Sequence, residues 1–171
     1  MSQPIKVLVA GLGNMGRAHA MAYHNHPGYE IVGVVTRSKD SVPEGLGEYK
    51  HWSDFYDALE ATKPDLASIN TYSDSHADYA VAAMEAGAHV FIEKPLATSV
   101  ADAERVVETA IRLSKKLVVG YILRHHPSWV RLIAEARALG GPYVFRMNLN
   151  QQSAGRFWRT HKTLMETTSP I

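Results

Sequence analysis

The chain has 171 residues, 46% hydrophobic and 20% charged, with 18 basic against 17 acidic side chains and no cysteine. A net charge of +1 without a local block of one sign argues against a nucleic-acid binder with a basic face. The missing thiols exclude a disulfide scaffold, an iron–sulfur centre and a cysteine nucleophile. No run reaches the roughly 18 consecutive apolar residues of a membrane span, and residues 1–10 lead into a glycine loop with neither basic leader nor cleavage site, so a soluble, cytoplasmic protein is expected.

In chain order, Ile5–Ala10 is predicted as a buried strand and Asn14–His24 as a helix. Residues 31–35 form a second β-branched run, followed by a breaker-rich stretch at 43–47. A short strand at 49–52 leads to a helix over 53–62 with Ser53 as its N-cap. Residues 66–71 read as a strand. A helix over 73–87 places Ala77, Ala80, Val81 and Met84 on one face and stops at Gly87. His89–Ile92 is the next strand. Ser99 and Asp102 make a capping-box-like start for a helix over 100–114 with the stripe Ala103, Val107 and Ala110, and 117–122 is the last strand of the series. Pro127–Leu139 reads as an amphipathic helix, 140–142 as a turn and 143–150 as an alternating strand.

Apolar strands alternating with helices indicate an α/β protein with a doubly wound parallel sheet covered on both faces. This Rossmann-type domain is expected over residues 1–122, and residues 123–171 are expected to begin a second domain. The length fits neither one nucleotide-binding domain nor such a domain with a full partner.

Gly11-Leu12-Gly13-Asn14-Met15-Gly16 follows the first strand and opens a helix, the context in which G-x-G-x-x-G signifies dinucleotide binding rather than a plain turn. The first glycine permits the turn, the second lets backbone approach a pyrophosphate, and the third lets helix and strand pack closely. Such folds carry Asp or Glu about 20 residues further on for the ribose hydroxyls. Here that place holds Thr36-Arg37-Ser38, and a guanidinium can clamp a 2′-phosphate. NADP is therefore the expected cofactor, with Asp40 keeping NAD open.

Two further strand ends face the same crevice. Thr71, Tyr72, Ser73 and His76 line the first, with backbone and hydroxyls suited to a cofactor; a histidine in the place of His76 is more often a helix-end residue that hydrogen-bonds locally. Glu93-Lys94-Pro95 stands at the second. Lys94 is placed to hydrogen-bond a substrate oxygen, and Glu93 either to turn toward the cofactor or to fix the loop; an exposed ion pair on a turn is the plainer alternative. The histidine pairs His24/His26 and His125/His126 lack partners at metal-ligand spacing, so no metal is expected.

The glycine loop, Thr71-x-Ser73-x-x-His76, Glu93-Lys94-Pro95 and Gly120-Tyr121-x-x-Arg124-x-x-Pro127, in that order, resemble the Gfo/Idh/MocA oxidoreductases, the family of glucose–fructose oxidoreductase and inositol dehydrogenase. The resemblance covers almost the whole chain. It implies a Rossmann domain followed by an α/β domain on a mostly antiparallel sheet, NAD(P)-linked chemistry on a sugar, cyclitol or related polyol, and a homo-oligomer when full length. It gives Lys94 contact with nicotinamide ribose and substrate and implies a cis Lys94–Pro95 bond. It also matches Thr36-Arg37 to a Ser-Arg-like pair of NADP users, Trp158-Arg159 to a cofactor-contacting pair, and Tyr121 and Arg124 to the substrate side. Tyr72 stands where the pattern has proline, and Ile122 where it has asparagine. The family's acid/base histidine belongs to a segment expected shortly after residues 167–171, so the chain reads as an N-terminal part, inactive alone. A non-catalytic dinucleotide-sensing module is the competing expectation.

Overall fold

The computed structural model describes residues 3–37, 42 and 45–148. The chain divides into two compact units, Met1–Tyr121 and Ile122–Ile171.

In the first unit, six strands form one sheet: β1 (Ile5–Ala10), β2 (Tyr29–Val35), β3 (His51–Trp52), β4 (Leu66–Ile69), β5 (His89–Ile92) and β6 (Leu117–Val119). Their spatial order is β3-β2-β1-β4-β5-β6, and every adjacent pair is parallel. This is the Rossmann arrangement, in which the chain leaves β1 toward one edge and returns beside it to build the other. The crevice therefore opens where β1 meets β4.

The alternation of β1 sets the core. Val7 and Val9 point to one face, where they pack with Ala20 of α1 (Asn14–His24), Ile31, Val34 and Leu46. Leu8 and Ala10 point to the other, against Phe55, Ala58 and Leu59 of α2 (Phe55–Thr62), Ala80 and Met84 of α3 (His76–Glu85), and Val106 of α4 (Val100–Arg112). Small residues dominate the α3 contact, which brings that helix close to the sheet.

Several local expectations shift. α2 begins two residues later than predicted, because Asp54 rather than Ser53 caps it, accepting from the amides of Tyr56 (2.7 Å) and Asp57 (3.0 Å). A carboxylate at the helix N-terminus also complements the dipole. The 73–87 segment opens as a 3-10 turn, Ser73–Ser75, before α3; His76 and Ala83 join Ala77, Ala80 and Met84 on its buried face, with Val81 half-buried. The Ser99–Asp102 capping box forms, with the Asp102 amide donating to Ser99 Oγ (3.1 Å) and the hydroxyl donating to the carboxylate (2.7 Å). In the α4 stripe Ala110 is buried and Ala103 half-buried as expected, but Val107 is 41% exposed and Val106 and Thr109 are buried instead. β6 ends at Val119, not 122.

In the second unit, Pro127 opens α5 (Pro127–Leu139), a position where its missing N–H costs nothing. Arg131 and Glu135 pair along the helix at 2.8 Å, and Trp129 meets Phe145 edge-on. Residues 143–148 are not paired as a strand, because no described segment of this unit offers a ladder partner; residues 149–150 of that expected strand lie outside the described residues. No helix among the described residues is long and apolar enough to cross a membrane.

Asp54→Ala should lower the unfolding free energy by about 1 kcal/mol, with Ser53→Ala near zero, in urea titrations followed by circular dichroism.

Candidate functional site

Three glycines shape the end of β1. Gly11 has φ +87°, and a Cβ there would lie 2.6 Å from the Asn70 carbonyl oxygen at the end of β4. At Gly16, a Cβ would run into the Gly11 carbonyl. Both positions are closed to a side chain by backbone. Gly13 is the opposite case: nothing lies within 4 Å of its Cβ position, and it is the N-cap of α1, with no side-chain cap and no acid in the first turn. The loop thus presents unpaired amides to open space, as a pyrophosphate requires. Leu12 is buried beneath it, and Gly13, Asn14 and Met15 are exposed. Arg17, unremarked in the sequence, donates from Nε to the Leu12 carbonyl (3.1 Å).

Past β2, the Thr36 amide donates to Trp52 O (3.1 Å), and the Arg37 guanidinium lies over the Tyr72 ring, 5.2 Å from its centroid. Ser38 lies outside the described residues, as do Trp158 and Arg159.

The β4 and β5 ends are tied together. Thr71 Oγ1 and Ser75 Oγ share a hydrogen bond of 2.7 Å, and Ser73 is half-buried in the same turn. His76 is 1% exposed. Its Nδ1 and Nε2 lie 2.7 Å from Pro95 O and 3.2 Å from Thr71 O. Both partners are backbone carbonyl acceptors, so the ring donates to them through whichever nitrogen carries a proton. The imidazole thus lies between backbone carbonyls of the two loops.

Glu93 is 6% exposed, and its carboxylate turns inward to fix the loop. Oε1 accepts from His19 Nε2 (2.9 Å) and Oε2 from the Lys94 amide (3.2 Å). Gly120 makes room for it, since a Cβ there would sit 3.1 Å from Oε1. His19 also packs on Phe91, with ring centroids 4.7 Å apart. Sequence reading missed this histidine, whose partner is 74 residues away; its only local sign is a place one turn beyond Gly16 on α1. The Lys94–Pro95 peptide is cis, as the resemblance implies. The Lys94 residue is exposed, and no described carboxylate pairs with its ammonium. Tyr121, 45% exposed, ends the first unit, while Arg124 closes a 3-10 turn, Ile122–Arg124, in the second. Among the described residues no cluster of three metal-ligating side chains occurs.

The profile of the Gfo/Idh/MocA family, described as an oxidoreductase family with an NAD-binding Rossmann fold, matches residues 5–121. The chain belongs to the Gfo/Idh/MocA oxidoreductases. Among family relatives, the 4-carboxy-2-hydroxymuconate-6-semialdehyde dehydrogenase of a Sphingobium species is 32% identical over 169 residues, 92% of this chain and 54% of that protein. The inositol 2-dehydrogenase of Salmonella paratyphi B is 29% identical over 171 residues, 95% of this chain and 51% of that protein. A crystal structure of a 3-ketoreductase from Actinomadura kijaniata, in complex with NADP and TDP-benzene, superposes with a TM-score of 0.71 at 27% identity, covering 81% of this chain and 43% of that one. The chain spans about half the length of the curated relatives it matches.

Gly13→Ala should leave the thermal unfolding midpoint unchanged while weakening dinucleotide binding, whereas Gly16→Ala should lower the midpoint itself; differential scanning fluorimetry with and without NAD(P) separates the two. His76→Ala, which removes the buried ring that hydrogen-bonds the backbone of these two loops, should cost about 1–3 kcal/mol of unfolding free energy in chemical denaturation.

Proposed function

We propose that this chain supplies the cofactor domain and the substrate-holding lysine of an NADP-dependent oxidoreductase acting on a sugar, cyclitol or related polyol. The observation that carries the reading is the Glu93–Lys94–Pro95 loop. It stands at the same, C-terminal end of the parallel strands as the glycine loop with only β4 between, and its carboxylate is turned inward while its lysine is left outward.

The glycine loop fits a dinucleotide, because Gly13 leaves the space a pyrophosphate needs and the α1 amides face it. A dinucleotide held there would supply hydride transfer to or from a carbinol carbon. The protein's share is to bind, orient and manage the proton. Gly11 to Gly16 hold the pyrophosphate, and Thr36 and Arg37 face the adenosine ribose. Thr71, Tyr72 and Ser73 line the cofactor at the β4 end. Lys94 donates a hydrogen bond to the reacting substrate oxygen and stabilises negative charge as it develops, the kind of preorganised donor whose removal is costly. Glu93 and His76 act through the loop that carries Lys94, not on the substrate.

NADP is favoured over NAD because the place of the ribose-binding acid is taken by Arg37, and no described carboxylate pairs with it. Tyr121 and Arg124 are assigned to the substrate side, and residues 123–171 to the start of a substrate and oligomerisation domain.

Lys94→Ala in the whole protein should reduce kcat on the order of 10²–10³-fold while the NADP Kd, followed by nucleotide fluorescence, stays close to that of the parent. Near-normal turnover across a polyol panel would overturn the role of Lys94.

A further inference from the structure

We propose that Tyr72 is a cofactor-selectivity residue: its ring holds the Arg37 guanidinium in place to receive the 2′-phosphate of the adenosine half. The inference rests on the NADP reading above and adds the residue that makes Arg37 effective.

Arg37 follows β2 and Tyr72 follows β4, the two strands that flank β1. Their side chains meet across the end of β1, where the glycine loop lies, with the guanidinium 5.2 Å from the ring centroid. Both residues are exposed, and no described carboxylate competes for the cation. The ring quadrupole attracts the guanidinium to its face. The five N–H donors of arginine lie in the guanidinium plane and radiate from its edge. A cation–π contact therefore restrains the side chain without pairing its N–H donors to an acceptor that a phosphate would have to displace, and a pre-ordered fork loses less rotamer freedom on binding.

The ring itself stands on an anchored turn. The Tyr72 carbonyl accepts from the Ser75 amide (3.1 Å) and the Ser75 hydroxyl (2.9 Å), and the preceding Thr71 carbonyl lies 3.2 Å from Nε2 of buried His76. A proline at position 72 would offer no π face, so the tyrosine that departs from the pattern has a task of its own. An aromatic ring that instead stacked on adenine would strengthen both cofactors alike. The proposal requires an effect confined to the ligand with the extra phosphate.

Isothermal titration of this chain with adenosine 2′,5′-bisphosphate and with 5′-AMP reads the adenosine half alone, with circular dichroism confirming that each variant is folded. Tyr72→Leu should weaken the bisphosphate roughly two- to five-fold, the range expected of an exposed cation–π contact, and leave 5′-AMP unchanged. Tyr72→Phe, which keeps the ring face, should match the parent. In an Arg37→Met background, Tyr72→Leu should have no further effect, since the two residues act as one pair. An unchanged bisphosphate Kd in Tyr72→Leu, an equal loss for both ligands, or a full loss persisting in Arg37→Met overturns the role of Tyr72 while NADP preference stands. A parent chain that binds 5′-AMP more tightly than the bisphosphate overturns the NADP reading and this inference with it.

Discussion

The closeness of backbone to backbone where α1 leaves β1 is the constraint on which the site depends. The Gly16 Cα stands against the Gly11 carbonyl, and Gly11 in turn stands against the carbonyl of Asn70. Three segments meet where any side chain would separate them. The start of the helix is thereby held against the ends of β1 and β4. Because β2 and β4 lie on either side of β1, the loops that follow them are brought to the same rim. Arg37 and Tyr72 meet across that rim.

A second division of labour concerns the polar groups behind the rim. Burial of a carboxylate is costly unless hydrogen bonds replace its lost water. Glu93 has two, from His19 on the first helix and from the amide of its own neighbour. Its charge is therefore spent on architecture, linking α1 to the end of β5. The inward carboxylate and outward ammonium are adjacent in sequence but sit in different environments, one 6% exposed and the other facing solvent. This arrangement separates Glu93-Lys94 from an ordinary ion pair on a turn, in which the two charges would face each other.

Much of this was legible in the sequence because the governing signals are local. The boundaries of β1, α1, β5 and α5 follow from apolar runs and breakers, and the glycine loop from its context. The cap of α2 was misplaced by one residue, since Ser53 and Asp54 are both good caps and only the geometry of the incoming chain decides between them. Within α4 the stripe failed at Val107 alone, because Val106 and Val107 are adjacent and equally apolar and only packing on the sheet decides which is buried. Long-range partnerships had no local signature at all. Nothing near His19 announces Glu93, and nothing near His76 announces Pro95. Residues 143–148 show the limit of alternation as a signal, because a strand pattern becomes a strand only when another edge is there to pair with it.

The imidazole of His76, with almost no access to water, stands between two turns, the one that leads from β4 to Tyr72 and the one that carries Lys94 after β5. The two turns therefore share one buried ring, and a shift of either carbonyl alters the hydrogen bonding open to the other.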